Sequence, residues 1–275
     1  MPSPTGDTRL AGVIGWPVRH SRSPVIHNAA FAAVGIDWTY LALPVAPGTV
    51  PAALAGMHAL GIEGLSVTMP HKTAVAAALE RLTDDATALG AVNCVFRDGE
   101  HLVGDNTDGG GFVDSLRHDQ GIDPSGMRCV VFGAGGAARA VVRSLAGAGA
   151  ERIAVANRRP ERAAVAASLA GALGVVDDGT ALASADLVVN ATPVGMGDDD
   201  AMPFDPAATP AGCVIADLVY HPEITPLLGA AATAERRTVG GLGMLVHQAG
   251  RAFRRWTGVD APIDVMTAAA RRSLS

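Results

Sequence analysis

The stretch Gly133-Ala134-Gly135-Gly136-Ala137-Ala138 has the spacing G-x-G-x-x-A. It follows the β-branched run Cys129-Val130-Val131-Phe132 and leads into an Ala- and Arg-rich stretch of helical character. In that setting glycines let the backbone approach a pyrophosphate, and a helix N-terminus offers unpaired N–H groups and positive potential. The chemistry indicated is dinucleotide binding, with contacts from Gly133, Ala134, Gly135, Gly136 and Ala137. A glycine turn that only permits tight packing is the plainer alternative; the strand–turn–helix placement argues against it. The next β-branched run ends at Ala156, and Asn157-Arg158-Arg159-Pro160-Glu161-Arg162 follows. An acid at this point accepts hydrogen bonds from a ribose 2′-hydroxyl. Here Asn157 stands instead, and Arg158, Arg159 and Arg162 carry guanidinium forks that match a 2′-phosphate. Two such arginines, at about 1.5–3 kcal/mol for each charge-assisted bond, favour NADP over NAD by roughly 10²-fold or more. For Arg159 and Arg162 a solvated helix start explains the residue equally well; for Arg158 the phosphate reading is preferred.

The first half of the chain carries groups suited to a small polar acid. Ser21-Arg22-Ser23-Pro24 places two hydroxyls two residues apart at the start of an amphipathic stretch running through Phe31. Ser23 before Pro24 reads first as a helix N-cap with proline in the first turn; two hydroxyls beside a helix start also suit a carboxylate. Lys72 follows the strand-like Leu65-Ser66-Val67-Thr68 across Met69-Pro70-His71. The carboxyl end of a strand is where open α/β sheets bind ligands, although a lone lysine there is more often a surface charge. Gly90-Ala91-Val92-Asn93 and Gly104-Asp105-Asn106-Thr107-Asp108-Gly109 are polar, glycine-rich segments of the kind found at strand ends.

The elements that must hold these residues alternate. Short β-branched runs at 12–15, 65–68, 129–132, 153–155, 187–189 and 214–215 are separated by helix-like stretches such as 73–82, 137–148 and 160–173. That order predicts parallel sheets built from βαβ units, with helices on both faces. Residues 197–210, acidic and proline-bearing, read as a surface loop. A boundary is expected near 109–127, where Gly109-Gly110-Gly111 enters a helix and a turn-rich segment follows. A second crossing is expected at Gly240-Gly241-Leu242-Gly243, after which Met244–Thr257 and a last helix return to the first part. The expected domains are 1–110 with 241–275, and 111–240.

At 275 residues with 49% hydrophobic side chains the chain can bury a full core. Twenty-one Lys and Arg against 27 Asp and Glu give a formal charge of −6, without a basic run, so nucleic acid is not an expected partner. Cys94, Cys129 and Cys213 are scattered without metal-ligand spacing; no metal is expected, and buried free thiols fit a reducing cytoplasm. The first residues lack the apolar segment of a secretory signal, and there is no run of about 18 uncharged apolar residues. A cytoplasmic protein acting on small molecules, as monomer or homodimer, is the expectation.

Taken together, the motifs resemble the shikimate dehydrogenase family over almost the whole chain. The pieces are Gly15-Trp16-Pro17-Val18-Arg19-His20-Ser21-Arg22-Ser23-Pro24, Val67-Thr68-Met69-Pro70-His71-Lys72, Ala91-Val92-Asn93 and the segment Gly104–Gly109. The glycine turn, Asn157-Arg158, Asn190-Ala191-Thr192-Pro193-Val194-Gly195-Met196 and Gly241-Leu242-Gly243-Met244-Leu245-Val246-His247-Gln248 continue it. The resemblance implies an α/β protein of two domains: an N-terminal α/β substrate domain and a Rossmann-like NADP-binding domain, with the C-terminal helices returning to the first. It implies NADPH-dependent reduction of 3-dehydroshikimate to shikimate, with Lys72 and Asp108 as the catalytic pair. It further implies Ser21 and Ser23 on the substrate carboxylate, Thr68, Asn93 and Gln248 on the carboxylate side or ring hydroxyls, and Tyr220 near substrate and nicotinamide. Gly241 and Met244 line the nicotinamide pocket in this reading. The departures are Cys94, where threonine is expected, and His71, where aromatic residues also occur.

On that resemblance, Lys72 protonates or stabilises the developing alkoxide while Asp108 hydrogen-bonds both substrate and lysine. The pair, distant along the chain, is expected to converge opposite the nicotinamide. Competing readings are a quinate or aminoshikimate dehydrogenase of the same superfamily, a folate-type dehydrogenase, and a non-catalytic dinucleotide-binding regulator. Ser23 and Arg158 argue against an NAD-linked quinate enzyme, and the presence of both Lys72 and Asp108 argues against a regulator.

Overall fold

The structure is a computed structural model and describes residues 4–274. The chain divides into two compact units: residues 1–107 with 248–275, and residues 108–247. The crossings lie at 107/108 and 247/248, against 110/111 and 240/241 in the sequence reading.

The first unit contains β1 (Arg9–Gly15), α1 (Ser23–Val34), β2 (Trp38–Pro44), α2 (Val50–Ala59), β3 (Gly64–Val67), α3 (Lys72–Ala78), β4 (Arg81–Leu82), α4 (Asp84–Leu89), β5 (Cys94–Asp98) and β6 (His101–Asp105). Its described strands form one sheet in the order β2-β1-β3-β5-β6-β4. β1 runs parallel to β2 and β3, whereas β5 runs antiparallel to both β3 and β6. The sheet is therefore mixed where uniformly parallel pairing was expected. The reason is local: β5 and β6 are joined only by Gly99-Glu100, with Gly99 at φ +60°, too short a link for a parallel crossover. One face of the sheet, carrying Ile14, Leu65 and Val67, packs on Leu54 and Met57 of α2 and Val75 of α3. The opposite face meets α1 and the end of α9 (Leu242–Thr257), whose Trp256 Nε1 donates to the Val95 carbonyl at 3.0 Å; α10 (Ile263–Leu274) follows. The Trp256 indole lies so close to Gly64 that a Cβ there would stand 2.4 Å from it, and α10 packs on α1.

The second unit contains α5 (Asp108–Asp114), continued as a π-helical turn over Ser115–Asp119, then β7 (Arg128–Phe132), α6 (Gly136–Gly147), β8 (Arg152–Ala156), α7 (Pro160–Ala167), β9 (Gly174–Val176), β10 (Leu187–Asn190), β11 (Val214–Asp217), α8 (Pro226–Thr233) and β12 (Arg237–Val239). α9 begins in this unit and carries the chain back into the first. The sheet order is β9-β8-β7-β10-β11-β12, all parallel. This is the doubly wound dinucleotide order, with its switch point between β7 and β10. Val131, Val155, Leu187 and Val189 are buried on the sheet, beneath Val141, Val142 and Leu145 of α6.

Two helix assignments end differently from the sequence reading. The stretch 73–82 stops being helical at Ala78, and Arg81-Leu82 pair with β6 as a short strand. The stretch 160–173 is α-helical only to Ala167; a 3₁₀ segment follows, interrupted at Gly171 by φ +58°.

Candidate active site

The carboxyl ends of β1 and β3 lie side by side, with Ile14 opposite Val67. Because β5 is reversed, its first residue, Cys94, sits opposite Ser66 of β3 and Asp105, the last residue of β6. One edge of the first sheet thus gathers the segment after β1 (Ser21, Ser23), the segment after β3 (Thr68, Lys72), the residue before β5 (Asn93) and the residues after β6 (Asn106, Thr107). Backbone bonds draw these segments together. Trp16 N–H donates to the Met69 carbonyl at 3.0 Å, Thr68 N–H to Ile14 at 2.9 Å, Val92 N–H to Lys72 at 2.9 Å, and Asn93 N–H to Asp105 at 3.0 Å.

Asn93 is the hub. Its Oδ1 accepts from the Thr107 N–H at 2.8 Å, and its Nδ2 donates to Thr107 Oγ1 at 3.0 Å and to Gln248 Oε1 at 3.5 Å. The Thr107 hydroxyl donates to the Gln248 carbonyl at 3.0 Å. Two residues singled out in the sequence, Asn93 and Gln248, are therefore brought together, through a Thr107 that the sequence reading quoted but gave no role. The segment is braced further by Asp105, buried, which accepts from the Thr83 hydroxyl, the Asn106 N–H and Arg255 Nε at 2.7–2.9 Å. Asp108 follows Thr107 directly, buried, as the first residue of α5, where an acidic side chain suits the exposed N–H groups of a first helical turn.

Lys72 occupies the first position of α3, with His71 as N-cap. A cation in a first turn opposes the helix dipole, so local helix stability does not account for it. His71 is buried and anchored by its Nε2 to the Val45 carbonyl at 2.7 Å, which holds the turn that presents Lys72. The N-cap reading of Ser23 is corrected: the cap position of α1 belongs to Arg22, whose side chain makes no cap bond, and Ser23 is already helical. Ser21 Oγ accepts the Ser23 N–H at 3.3 Å. The Ser23 hydroxyl is not consumed by capping.

In the second unit, residues 133–136 fill the turn between β7 and α6. The glycines differ in purpose. At Gly133, φ is +117° and a Cβ would lie 2.8 Å from the Ala191 carbonyl oxygen, so packing against the segment after β10 requires glycine. At Gly135 and Gly136 a Cβ would meet nothing within 4 Å. Tight packing thus explains the first glycine and does not explain the other two. α6 starts at Gly136 without a side-chain cap or an acid in its first turn, so its N-terminal N–H groups point at that space. The residues present fit a dinucleotide pyrophosphate. Asn157 Nδ2 donates to the Arg159 carbonyl at 3.0 Å and shapes the turn after β8. Arg158, Arg159 and Arg162 are exposed, and among the described residues none of their guanidiniums joins an ion pair.

The ends of β10 and β11 are joined by a buried network absent from the sequence reading. Asp217 accepts from Asn190 Nδ2 at 2.9 Å, from the Val219 N–H at 3.0 Å and from the Thr225 hydroxyl at 2.7 Å; burial raises its carboxyl above the usual range. Asn190 Oδ1 in turn accepts from the Thr192 N–H and hydroxyl. The network fixes Leu218-Val219 under Tyr220, which is itself 37% exposed. Gly241 abuts the same turn: its Cβ would stand 2.3 Å from the Leu218 carbonyl oxygen. Met244, half-buried, packs against the core of the same unit. His247 shares a ring-nitrogen hydrogen bond of 2.8 Å with Asp119, anchoring the turn of α9 just before Gln248. The usable signal for these residues was Asn190-Ala-Thr-Pro and Asp217 at strand ends.

Comparison with known proteins fits both units. A family model for the shikimate dehydrogenase substrate binding domain matches residues 13–95, one for shikimate/quinate 5-dehydrogenase matches 117–195, and one for the shikimate 5′-dehydrogenase C-terminal domain matches 241–271. The NADP(+) shikimate dehydrogenase of Citrifermentans bemidjiense is 48% identical over 269 residues, spanning 94% of this chain and 93% of that protein. The chain belongs to the shikimate dehydrogenase family. Among solved members, the Thermus thermophilus enzyme in complex with NADP(H) and shikimate has a TM-score of 0.90 at 36% identity, covering 97% of this chain and 100% of its own. The quinate dehydrogenase of Corynebacterium glutamicum in complex with NAD has a TM-score of 0.88 at 33% identity, covering 96% and 99%. Shikimate dehydrogenase architecture thus accounts for both sheets, the inserted dinucleotide unit and the returning C-terminal helices. Among the described residues, no helix is long and apolar enough to cross a membrane.

Proposed function

We propose that this chain catalyses the reversible NADPH-dependent reduction of 3-dehydroshikimate to shikimate, a step toward chorismate and the aromatic amino acids, in the cytoplasm. The observation that carries the reading is the single sheet edge holding Ser21, Ser23, Thr68, Lys72, Asn93 and Thr107, in a chain nearly half identical to an NADP(+) shikimate dehydrogenase. Ser21 and Ser23 hold the carboxylate. Asn93, Thr68 and Gln248 orient the ring hydroxyls, with Thr107 fixing the Asn93 amide. Arg158, with Arg159 and Arg162, selects the 2′-phosphate, while Gly133–Ala137 hold the pyrophosphate and Tyr220, Gly241 and Met244 frame the nicotinamide.

When bound, the reduced nicotinamide supplies a hydride to the ketone carbon. The chain's own task is the proton and the geometry. Lys72 Nζ hydrogen-bonds the ketone oxygen and delivers its proton as the alkoxide forms. Asp108 accepts a hydrogen bond from the substrate. Lys72→Ala is expected to lower kcat by about 10²–10⁴-fold, the usual worth of acid–base assistance, with a much smaller change in KM. A rise in KM alone would make Lys72 a binding residue and overturn its role. The relation to an NAD-binding quinate dehydrogenase supports one alternative, oxidation of quinate; the basic turn after β8 weighs against it.

A further inference from the structure

Tyr40 is the largest side chain fully removed from solvent. It lies in β2 opposite Ala11 of β1, and its hydroxyl is buried without completing a hydrogen bond. The phenol meets the side chains of Ser66, on β3, and Ser23, at the start of α1, but neither contact reaches full hydrogen-bond geometry. Its placement is tightly determined. Asn28 Nδ2 donates to the Tyr40 carbonyl and the Tyr40 N–H donates to Asn28 Oδ1, both at 2.9 Å. The His27 ring stacks on the phenol ring, with centroids 4.4 Å apart at 17°, and Trp256 lies against both rings, 5.8 Å from Tyr40 and 5.0 Å from His27. His27 stands one helical turn beyond Ser23, so the clamp on Tyr40 also sets where the first turn of α1 sits.

A serine hydroxyl has one proton and two lone pairs. To give that proton to a ligand's carboxylate, Ser23 must act as acceptor toward the protein interior. The Tyr40 hydroxyl, buried beside Ser66 and Ser23, is a donor with no full bond of its own. We infer that Tyr40 is a positioning residue for the substrate carboxylate: its buried hydroxyl donates to Ser23 Oγ when a bound carboxylate draws the Ser23 proton outward. This rests on the assignment of Ser23 to the carboxylate. Binding then makes a hydrogen bond that folding leaves unmade, so the phenol oxygen contributes to affinity without contributing to the stability of the free protein.

Tyr40→Phe separates those two quantities. The expected result is a shikimate KM raised about 5- to 10-fold, the worth of one hydrogen bond. The KM for NADP should not move, kcat at saturation should be retained, and the melting temperature should equal or exceed that of the parent. Ser23→Ala should also raise the shikimate KM, and adding Tyr40→Phe to it should cost nothing more, because Tyr40 acts only through Ser23. An unchanged shikimate KM in Tyr40→Phe, or additive penalties in the double variant, overturns the inference while leaving the carboxylate assignment standing. A lowered melting temperature with kcat and both KM values impaired reduces Tyr40 to a structural residue. Ser23→Ala without effect removes the carboxylate assignment and the inference with it. Should Tyr40→Phe fail to fold, carbon NMR of ring-labelled tyrosine gives the same reading on the intact protein, since the chain has only two tyrosines. The Tyr40 Cζ resonance must move on adding shikimate and stay still in Ser23→Ala; a resonance that ignores shikimate in the parent overturns the inference.

Discussion

Lys72 and Arg158 raise the same question, whether a cation at a strand end is there for the fold or for a ligand. For Lys72 the answer comes from electrostatics: the first turn of α3 gains nothing from a positive charge. For Arg158 the proposal of a ligand role rests on position, after the second strand of a doubly wound sheet and beside Asn157 in place of an acid. Arg158→Ala is expected to lower kcat/KM for NADPH by roughly 10- to 100-fold, the range of one charge-assisted hydrogen bond, and to leave turnover with NADH nearly unchanged. Steady-state kinetics with both cofactors checks this; an equal loss with NADH would mean that the side chain shapes the turn instead. At this scale the sequence was most informative where a residue type has few structural uses. Lysine before a helix, paired serines and a run of arginines stood out as candidates on that ground. Asn93 was legible as a candidate, but its partner Thr107 was not, because a threonine at a strand end has many ordinary explanations and its role appears only through the bonds to Asn93 and Gln248.

At the scale of elements, the glycine turn after β7 separates folding from binding. Gly133→Ala places a methyl against the Ala191 backbone at positive φ and should cost roughly 1–3 kcal/mol of stability or more. Gly135 has φ −80°, which alanine adopts freely, and its methyl meets open space. Gly135→Ala should therefore melt like the parent yet bind NADP markedly less well. Thermal unfolding with and without NADP distinguishes the two; a stability loss in Gly135→Ala would return that glycine to a packing role. The strands of the second unit were largely legible because parallel strands covered on both faces read as unbroken apolar runs, as in Leu187-Val188-Val189. The hairpin β5–β6 was not, because Arg97, Asp98, Glu100 and His101 interrupt its apolar residues near the turn. β2 lies at the sheet edge with only Tyr40 fully buried, and its Leu41-Ala42-Leu43 carries no β-branched residue to mark a strand. The helix ends at Ala78 and Ala167 fall within continuous alanine-rich sequence, where propensity has no stop signal and tertiary pairing decides.

For the whole molecule, the two-unit organisation was legible because glycine clusters mark both crossings, although neither crossing falls within its cluster. The aromatic cluster inside the first unit was not legible, since it joins residues from α1, β2 and α9 that are far apart in the chain. It has a consequence for acid stability. His27 is fully buried, neither ring nitrogen is hydrogen-bonded, and burial lowers its pKa to about 3. The unfolded chain takes up a proton near the ordinary histidine value of 6.5 that the folded chain refuses. Stability is thus complete above that pH and is lost as pH falls toward 3, at up to about 1.4 kcal/mol per pH unit. His27→Phe, which keeps an aromatic ring beside Tyr40, should flatten the acid limb of a urea-midpoint profile between pH 6 and 4; an unchanged slope would assign that limb to other groups.

The function itself is tested most directly by following nicotinamide absorbance with shikimate and with quinate, each offered with NADP and with NAD. Rapid reduction of NADP by shikimate, with the other three combinations slower by at least an order of magnitude, is the predicted result. Preference for quinate with NAD, or cofactor binding without oxidation of either acid, would contradict it.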